Sequence, residues 1–112
     1  MTADSLTISV HISGDVDRPH VRIVLEGVFD GSQAPQLDNV AQSLPDGTSA
    51  VIVDVGGTTI IDSAALGSLI RLRRDTTGPD TTFTTTVGRP FQAELMRVAG
   101  LEEYLGVVHA AN

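Results

Sequence analysis

One short run, Ala50-Val51-Ile52-Val53-Asp54-Val55, constrains this chain more than any other stretch. Val and Ile lose side-chain freedom in a helix but pack well on a pleated surface, so the run reads as a strand. Apolar residues occupy both parities, which predicts a central strand covered on both faces. The flanking segments change period. Upstream, from Ser32, Ala34, Leu37, Val40, Ala41 and Leu44 recur at helical spacing. Pro35 is tolerable there because it falls in the first turn, and Pro45-Asp46-Gly47 ends the segment. Downstream, Ala65, Leu66, Leu69, Ile70 and Leu72 form a second helical stripe. A buried strand between two amphipathic helices belongs to an α/β fold.

The rest of the chain extends that pattern. Leu6, Ile8, Val10 and Ile12 alternate with Thr7, Ser9, His11 and Ser13, which is the period of a strand with one buried face. Gly14 to Pro19 has the composition of a turn, and Val21, Ile23 and Leu25 open a second strand, so the two should pair as an antiparallel hairpin. Gly27 closes that strand's signal, and Phe29-Asp30-Gly31-Ser32 leaves it. After the central run, Gly56-Gly57 interrupts and Ile60-Ile61 leads to Asp62. Asp62 or Ser63 can cap the next helix with a short oxygen side chain. Arg71, Arg73 and Arg74 complement its negative end and form a solvated patch able to meet an acidic partner, and Gly78-Pro79 stops it. Thr82 to Val87 reads as a strand with Phe83, Thr85 and Val87 on one face. Pro90 opens a third helix with Phe91, Leu95 and Val98, ended by Gly100. Leu105 to His109 completes the set as a short strand. The expected architecture is a single α/β domain over 1–112, in the order β-β-α-β-α-β-α-β, with a mixed sheet of four or five strands.

Charge and composition narrow the function. The 112 residues carry 7 basic and 14 acidic side chains, a formal charge of −7, which disfavours direct binding to nucleic acid or to an anionic membrane. The chain has no cysteine, which excludes disulfides, thiol nucleophiles and zinc–thiolate sites and is compatible with a reducing cytoplasm. No apolar run reaches the roughly 18–20 residues of a membrane span, and Met1-Thr2-Ala3-Asp4 lacks the start of a signal peptide. The expected setting is cytoplasmic.

If the second and third strands are parallel, the loops leaving them meet on one rim, where ligands and partners of open α/β sheets bind. That places Asp30, Gly31 and Ser32 near Asp62 and Ser63. Two roles are open to these residues: turn and helix-cap positions only, or a functional rim. His11, His20 and His109 are scattered without a second metal ligand at suitable spacing. Gly56-Gly57 lacks the context of a phosphate-cradling loop, and Ser63 has no G-x-S-x-G elbow. An enzyme using Ser63 as nucleophile, or Asp30 and Asp62 as an acid/base pair, has no accompanying base, oxyanion motif or cofactor loop. No metal, cofactor or catalytic residue is expected.

Ile61-Asp62-Ser63-Ala64-Ala65-Leu66-Gly67-Ser68-Leu69 resembles the Asp-Ser-[Ser/Thr]-Gly-Leu-Gly signature of STAS domains, in particular bacterial anti-sigma factor antagonists. Gly27-Val28-Phe29-Asp30 is similar to that family's Gly-Glu-Leu-Asp turn, Ala34-Pro35-Gln36-Leu37 to its Ala-Pro-x-Leu helix start, and Phe91 through Leu101 to its Arg-Leu-Phe-x-x-x-Gly-Leu helix. Four motifs fall in register across nearly the whole chain.

The resemblance implies a regulator rather than an enzyme. Ser63 matches the serine phosphorylated by a partner that is both anti-sigma factor and serine kinase. Asp30, Gly31, Ser32, Asp62, Ser63, Ala64, Leu66 and Gly67 match the partner-docking rim. The implied cycle is binding of the kinase when unphosphorylated, release after phosphorylation, and resetting by a serine phosphatase. Ala64 and Ala65 replace the usual Ser/Thr and Gly, and Ala65 adds a methyl at the helix start. Val28 replaces an acidic residue and removes one charge from the turn. A second expectation keeps the fold without the switch: a STAS scaffold or ligand-binding subunit in a stress-signalling or lipid-transport assembly.

Overall fold

The computed structural model describes residues 5–110; Met1 to Asp4, expected not to begin a signal peptide, lie outside them. The elements are β1 (Leu6–Asp15), β2 (Arg18–Phe29), α1 (Ala34–Ser43), β3 (Ala50–Ile61), α2 (Ser63–Thr76), β4 (Thr82–Val87), α3 (Pro90–Val98) and β5 (Val107–His109). The expected order is met, with five strands in the spatial order β1-β2-β3-β4-β5. β1 and β2 form the antiparallel hairpin, and the remaining neighbours pair in parallel. The hairpin is tighter than its sequence suggests. Asp15 already faces Arg18, so only Val16 and Asp17 make the turn.

The core lies between one face of the sheet and the helices. Val21, Ile23 and Leu25 of β2 and Val51, Val53 and Val55 of β3 are buried with Leu37 of α1, Leu66, Leu69 and Leu72 of α2, and Met96 of α3. Burying each such side chain contributes about 1.5–3 kcal/mol, which offsets the ordering of the strands and helices around it. Helix stripes at i, i+3 and i+4 turn Ala65, Leu66, Leu69 and Leu72 inward together.

The expectation that β3 is covered on both faces is corrected. Ile52 is 38% exposed, and Asp54, on the same side, bridges to Arg22 of β2 at 3.2 Å. Ile52 also faces Thr84 of β4, in a strand whose alternate residues point away from the core. β-branched residues satisfy the pleat whether or not a second layer covers them, and none of the described elements does so here.

The glycine pair also behaves differently from the expected interruption. β3 continues through Gly56-Gly57 to Ile61, and the β2–β3 register shifts twice, between Val24 and Glu26 and between Gly27 and Val28. Val24 pairs with Asp54, whereas Phe29 pairs with Ile61, so β3 carries two more residues than β2 over the same span. The glycines suit this crowded irregularity. A Cβ on Gly57 would lie 2.8 Å from Glu26 Cγ, and one on Gly56 would lie 3.0 Å from Asp54 Oδ1.

A buried amide ties the irregularity to α3. Gln92 is fully buried; its Oε1 accepts from the N–H groups of Gly88 (2.8 Å) and Arg89 (3.0 Å). Its Nε2 donates to the carbonyls of Val55 (2.7 Å) and Thr58 (3.0 Å), with Thr58 Oγ1 at 3.1 Å and Gly56 O at 3.3 Å. The backbone groups freed by the register shifts thus find a partner, as buried polar groups must.

Candidate functional site

The rim forms where parallel β2 and β3 both end. Phe29 pairs with Ile61, so the next residues, Asp30 and Asp62, leave the sheet side by side. Asp62 is the N-cap of α2: its Oδ1 accepts from Ala65 N at 2.9 Å. Of the two caps the sequence allowed, the structure selects Asp62 and leaves Ser63 as the first helical residue. Asp62 also does what spacing could not reveal. Its Oδ2 accepts from Gly31 N at 3.0 Å, so one carboxylate joins the loop before α1 to the start of α2.

These two amides, Ala65 first and Gly31 second, hold the Asp62 carboxyl below its ordinary pKa. The positive end of the helix favours the same anion. Asp30 organises the other loop. Its Oδ1 accepts from Ser32 N (3.0 Å) and Ser32 Oγ (2.7 Å), while its backbone carbonyl accepts from Gln33 N and Ala34 N. The result is an Asx-type turn that delivers Ala34-Pro35 into α1.

Gly31, Ser32, Ser63 and Ala64 are exposed on this rim, with Asp30 and Asp62 half-buried behind them. The two loops touch: a Cβ on Gly31 would lie 3.2 Å from Ala64 Cβ. Ile60, 50% exposed, adds an apolar flank just before Asp62. Gly67 is half-buried, and a Cβ there would lie 3.4 Å from Arg71 Nη1.

Leu66 departs from its expected place. It is only 7% exposed and packs in the core with Leu69, because the i, i+3 stripe of α2 faces the sheet. Ala65 is likewise fully buried, so its methyl points into the core, whereas Ser63 is exposed. Val28 is 6% exposed and belongs to the end of β2 rather than to the surface of a turn.

The α1–α2 contact holds two further residues without a signal in their spacing, Asp38 and Ser68, and gives Arg71 a partner. Buried Ser68 donates to Ala34 O and Asp38 Oδ1, both at 3.2 Å. Arg71 donates to both carboxylate oxygens of Asp38, at 3.2 and 3.1 Å. Such two-point pairing fixes the angle between the helices as well as their distance. The arginines stay partly or fully exposed, as expected, but each has its own partner: Arg74 pairs with Asp75, and the Arg73 guanidinium lies 4.3 Å from the centre of the Tyr104 ring. Among the described residues no group of His, Asp or Glu has the geometry of a metal site. No described helix is long and apolar enough to cross a membrane.

This is an α/β domain in which the loops leaving β2 and β3 meet at one rim with the start of α2. A family model described as "Mlab, STAS domain" matches residues 12–108, and the chain belongs to the STAS domain family. No curated protein matches it in sequence. Solved structures share the fold. An anti-sigma factor antagonist from Mycobacterium paratuberculosis superposes with a TM-score of 0.80 at 20% identity, covering 95% of this chain and 87% of that one. The anti-sigma factor antagonist SpoIIAA in its unphosphorylated form gives 0.69 at 15% identity, covering 93% and 90%. The Bacillus cell fate determinant SpoIIAA in its phosphorylated form gives 0.58 at 13% identity, covering 93% of each chain.

Proposed function

We propose that this chain is an anti-sigma factor antagonist switched at Ser63. Unphosphorylated, it binds an anti-sigma factor that is also a serine kinase and so frees a sigma factor for transcription. Phosphorylated on Ser63, it releases that partner, and a serine phosphatase restores it. The chain acts by binding rather than catalysis, in the cytoplasm. The observation that carries this reading is the exposed Ser63 at the first position of α2, beside a carboxylate that fastens both rim loops.

The switch requires no refolding. A phosphate brings about −1.5 to −2 charges and a bulky tetrahedral group. The N-terminus of α2 accepts an anion within this molecule, whereas a partner surface fitted to a hydroxyl, already facing Asp30 and Asp62, loses its contact. Ser32, Gly31 and Ala64 complete the docking surface with little side-chain bulk, and Ile60 supplies apolar area. Incubation with the cognate kinase and ATP should add one phosphate, located by mass spectrometry at Ser63, and the product should no longer bind. Phosphorylation persisting in Ser63→Ala, or the absence of any kinase complex, refutes the reading.

A second reading, a STAS scaffold or ligand-binding subunit without phospho-switching, draws on the Ala64-Ala65 pair and on the description of the matching family model. It predicts partner binding that Ser63→Ala and Ser63→Asp leave equally intact.

A further inference from the structure

Among the described residues β1 leaves one side of its backbone without a neighbour, since it is the first strand in the spatial order. Two contacts fix which groups point outward. Pro19, opposite Gly14, turns its carbonyl toward β3, where it accepts from Ser49 N at 2.9 Å. Ser5 O accepts from Val28 N of β2 at 3.0 Å. Odd-numbered residues of this strand therefore bond to β2, and the N–H and C=O groups of Ile8, Val10 and Ile12 face outward. The side chains of these same residues lie on the helix-covered face, opposite Leu25, Ile23 and Val21. Ile8 packs against the core, but the cover stops short of the next two: Val10 is 40% and Ile12 58% exposed.

Edge strands are normally blunted by charge, proline, a bulge or brevity. β5, at the other edge, has only three residues. β1 has ten, pairs with β2 in unbroken register, and contains neither proline nor an acidic or arginine side chain from Leu6 through Gly14.

We propose that this edge pairs with β1 of a second copy, antiparallel about a two-fold axis at Val10. Val10 then faces its symmetry mate, Ile8 faces Ile12 on the apolar side, and Ser9 faces His11 on the other. Charge favours a second copy in this direction. The chain carries −7, so most like-to-like contacts bring carboxylates together. The proposed joint contains none, and antiparallel pairing sends the Asp15 of each copy to opposite ends, about 34 Å apart along the strand and well beyond the screening length of about 8 Å. The result is a continuous ten-stranded sheet with both STAS rims free. The joint is small, so the dimer is weak and concentration-dependent.

The 112-residue chain should shift from monomer to dimer in sedimentation equilibrium between about 10 micromolar and about 1 millimolar. Val10→Lys, at an exposed position that leaves the core intact, should stay monomeric throughout while keeping the wild-type circular dichroism. Because the chain has no cysteine, Val10→Cys should give a covalent dimer on mild oxidation. Val16→Cys, at a turn residue 95% exposed but remote from the axis, should not. A wild type that is monomeric over the whole range overturns the proposal. So does a dimer that survives Val10→Lys, or equal cross-linking of the two cysteine variants.

Discussion

Replacing Gln92 with Leu tests whether one buried amide holds the β3 irregularity to α3. A primary amide offers two protons and two acceptor lone pairs, so the contacts of Gln92 amount to four full hydrogen bonds. At about 1 kcal/mol net each, their loss costs about 4 kcal/mol. Two of the stranded groups, the amides of Gly88 and Arg89, belong to exposed residues and can turn to water. The carbonyls of Val55 and Thr58 belong to fully buried residues and cannot. Leu restores about 1 kcal/mol through its own burial, which leaves a net loss of about 3 kcal/mol. For a chain of this size that is a fall in Tm of about 12 °C, measured by thermal circular dichroism and by urea titration with an unchanged m-value. Gln92→Glu separates the two halves of the amide. Its carboxylate keeps the acceptor side but faces the carbonyls of Val55 and Thr58, so its folded pKa is raised. The variant should therefore be more stable in acid and lose stability as pH rises above about 4.3, the ordinary glutamate value. A loss below about 1 kcal/mol for Gln92→Leu, or a pH-independent Gln92→Glu, refutes this account of the amide.

Other substitutions address separate features. Asp62→Asn leaves one acceptor for two amides and removes the anion whose pKa the fold lowers. The wild type should exceed it in urea midpoint at pH 7. The gap should close as pH falls below about 4 and through the lowered folded value; a constant gap at pH 3 and pH 7 contradicts the assignment. Thr85 is fully buried, and its Oγ1 has no hydrogen-bond partner. Thr85→Val should therefore raise stability by about 1 kcal/mol in the same titration, and a decrease argues for a hidden partner. Gly27 has φ +104° and a Cβ there would clash with Ser5 O, so Gly27→Ala should cost about 2–4 kcal/mol, against no change if the β1–β2 end can open freely.

The order of elements was legible because the hydrophobic period switches at every boundary between strand and helix, with Gly or Pro at most of the switches, and a turn composition separates the two opening strands. The rim was legible for the same reason: once β2 and β3 are taken as parallel, Asp30 and Asp62 must leave on one side. Local sequence does not carry the environment of a face. Ala50 to Val55 looked buried on both sides, yet the second side is flanked by residues such as His20 and Arg22 of β2 and Thr84 and Thr86 of β4, distributed over two strands far apart in sequence. Leu66 fell to the opposite error, since a family pattern placed it at the surface while the helical stripe placed it in the core. The Asp38–Ser68–Arg71 network, and the β3 carbonyls that Gln92 holds, escaped because these partners lie roughly thirty residues away or more, where spacing is silent. A glutamine in the first turn after a proline start was the one available hint, as a residue that can fold back on its own helix start.

The two extra residues of β3 have a consequence for how this domain can vary. Side chains alternate across a strand, so removing one residue between Val55 and Ile61 would invert everything beyond it and turn Ile61 out of the core. Removing two would keep every side chain on its proper face but draw the start of α2 back by about 6.6 Å against Asp30. Only the full pair brings Phe29 and Ile61 level and lets a single carboxylate span both loops. The irregularity thus acts as a vernier. It sets the height of Ser63 relative to its neighbouring loop in steps of two, independently of the helices that carry the core.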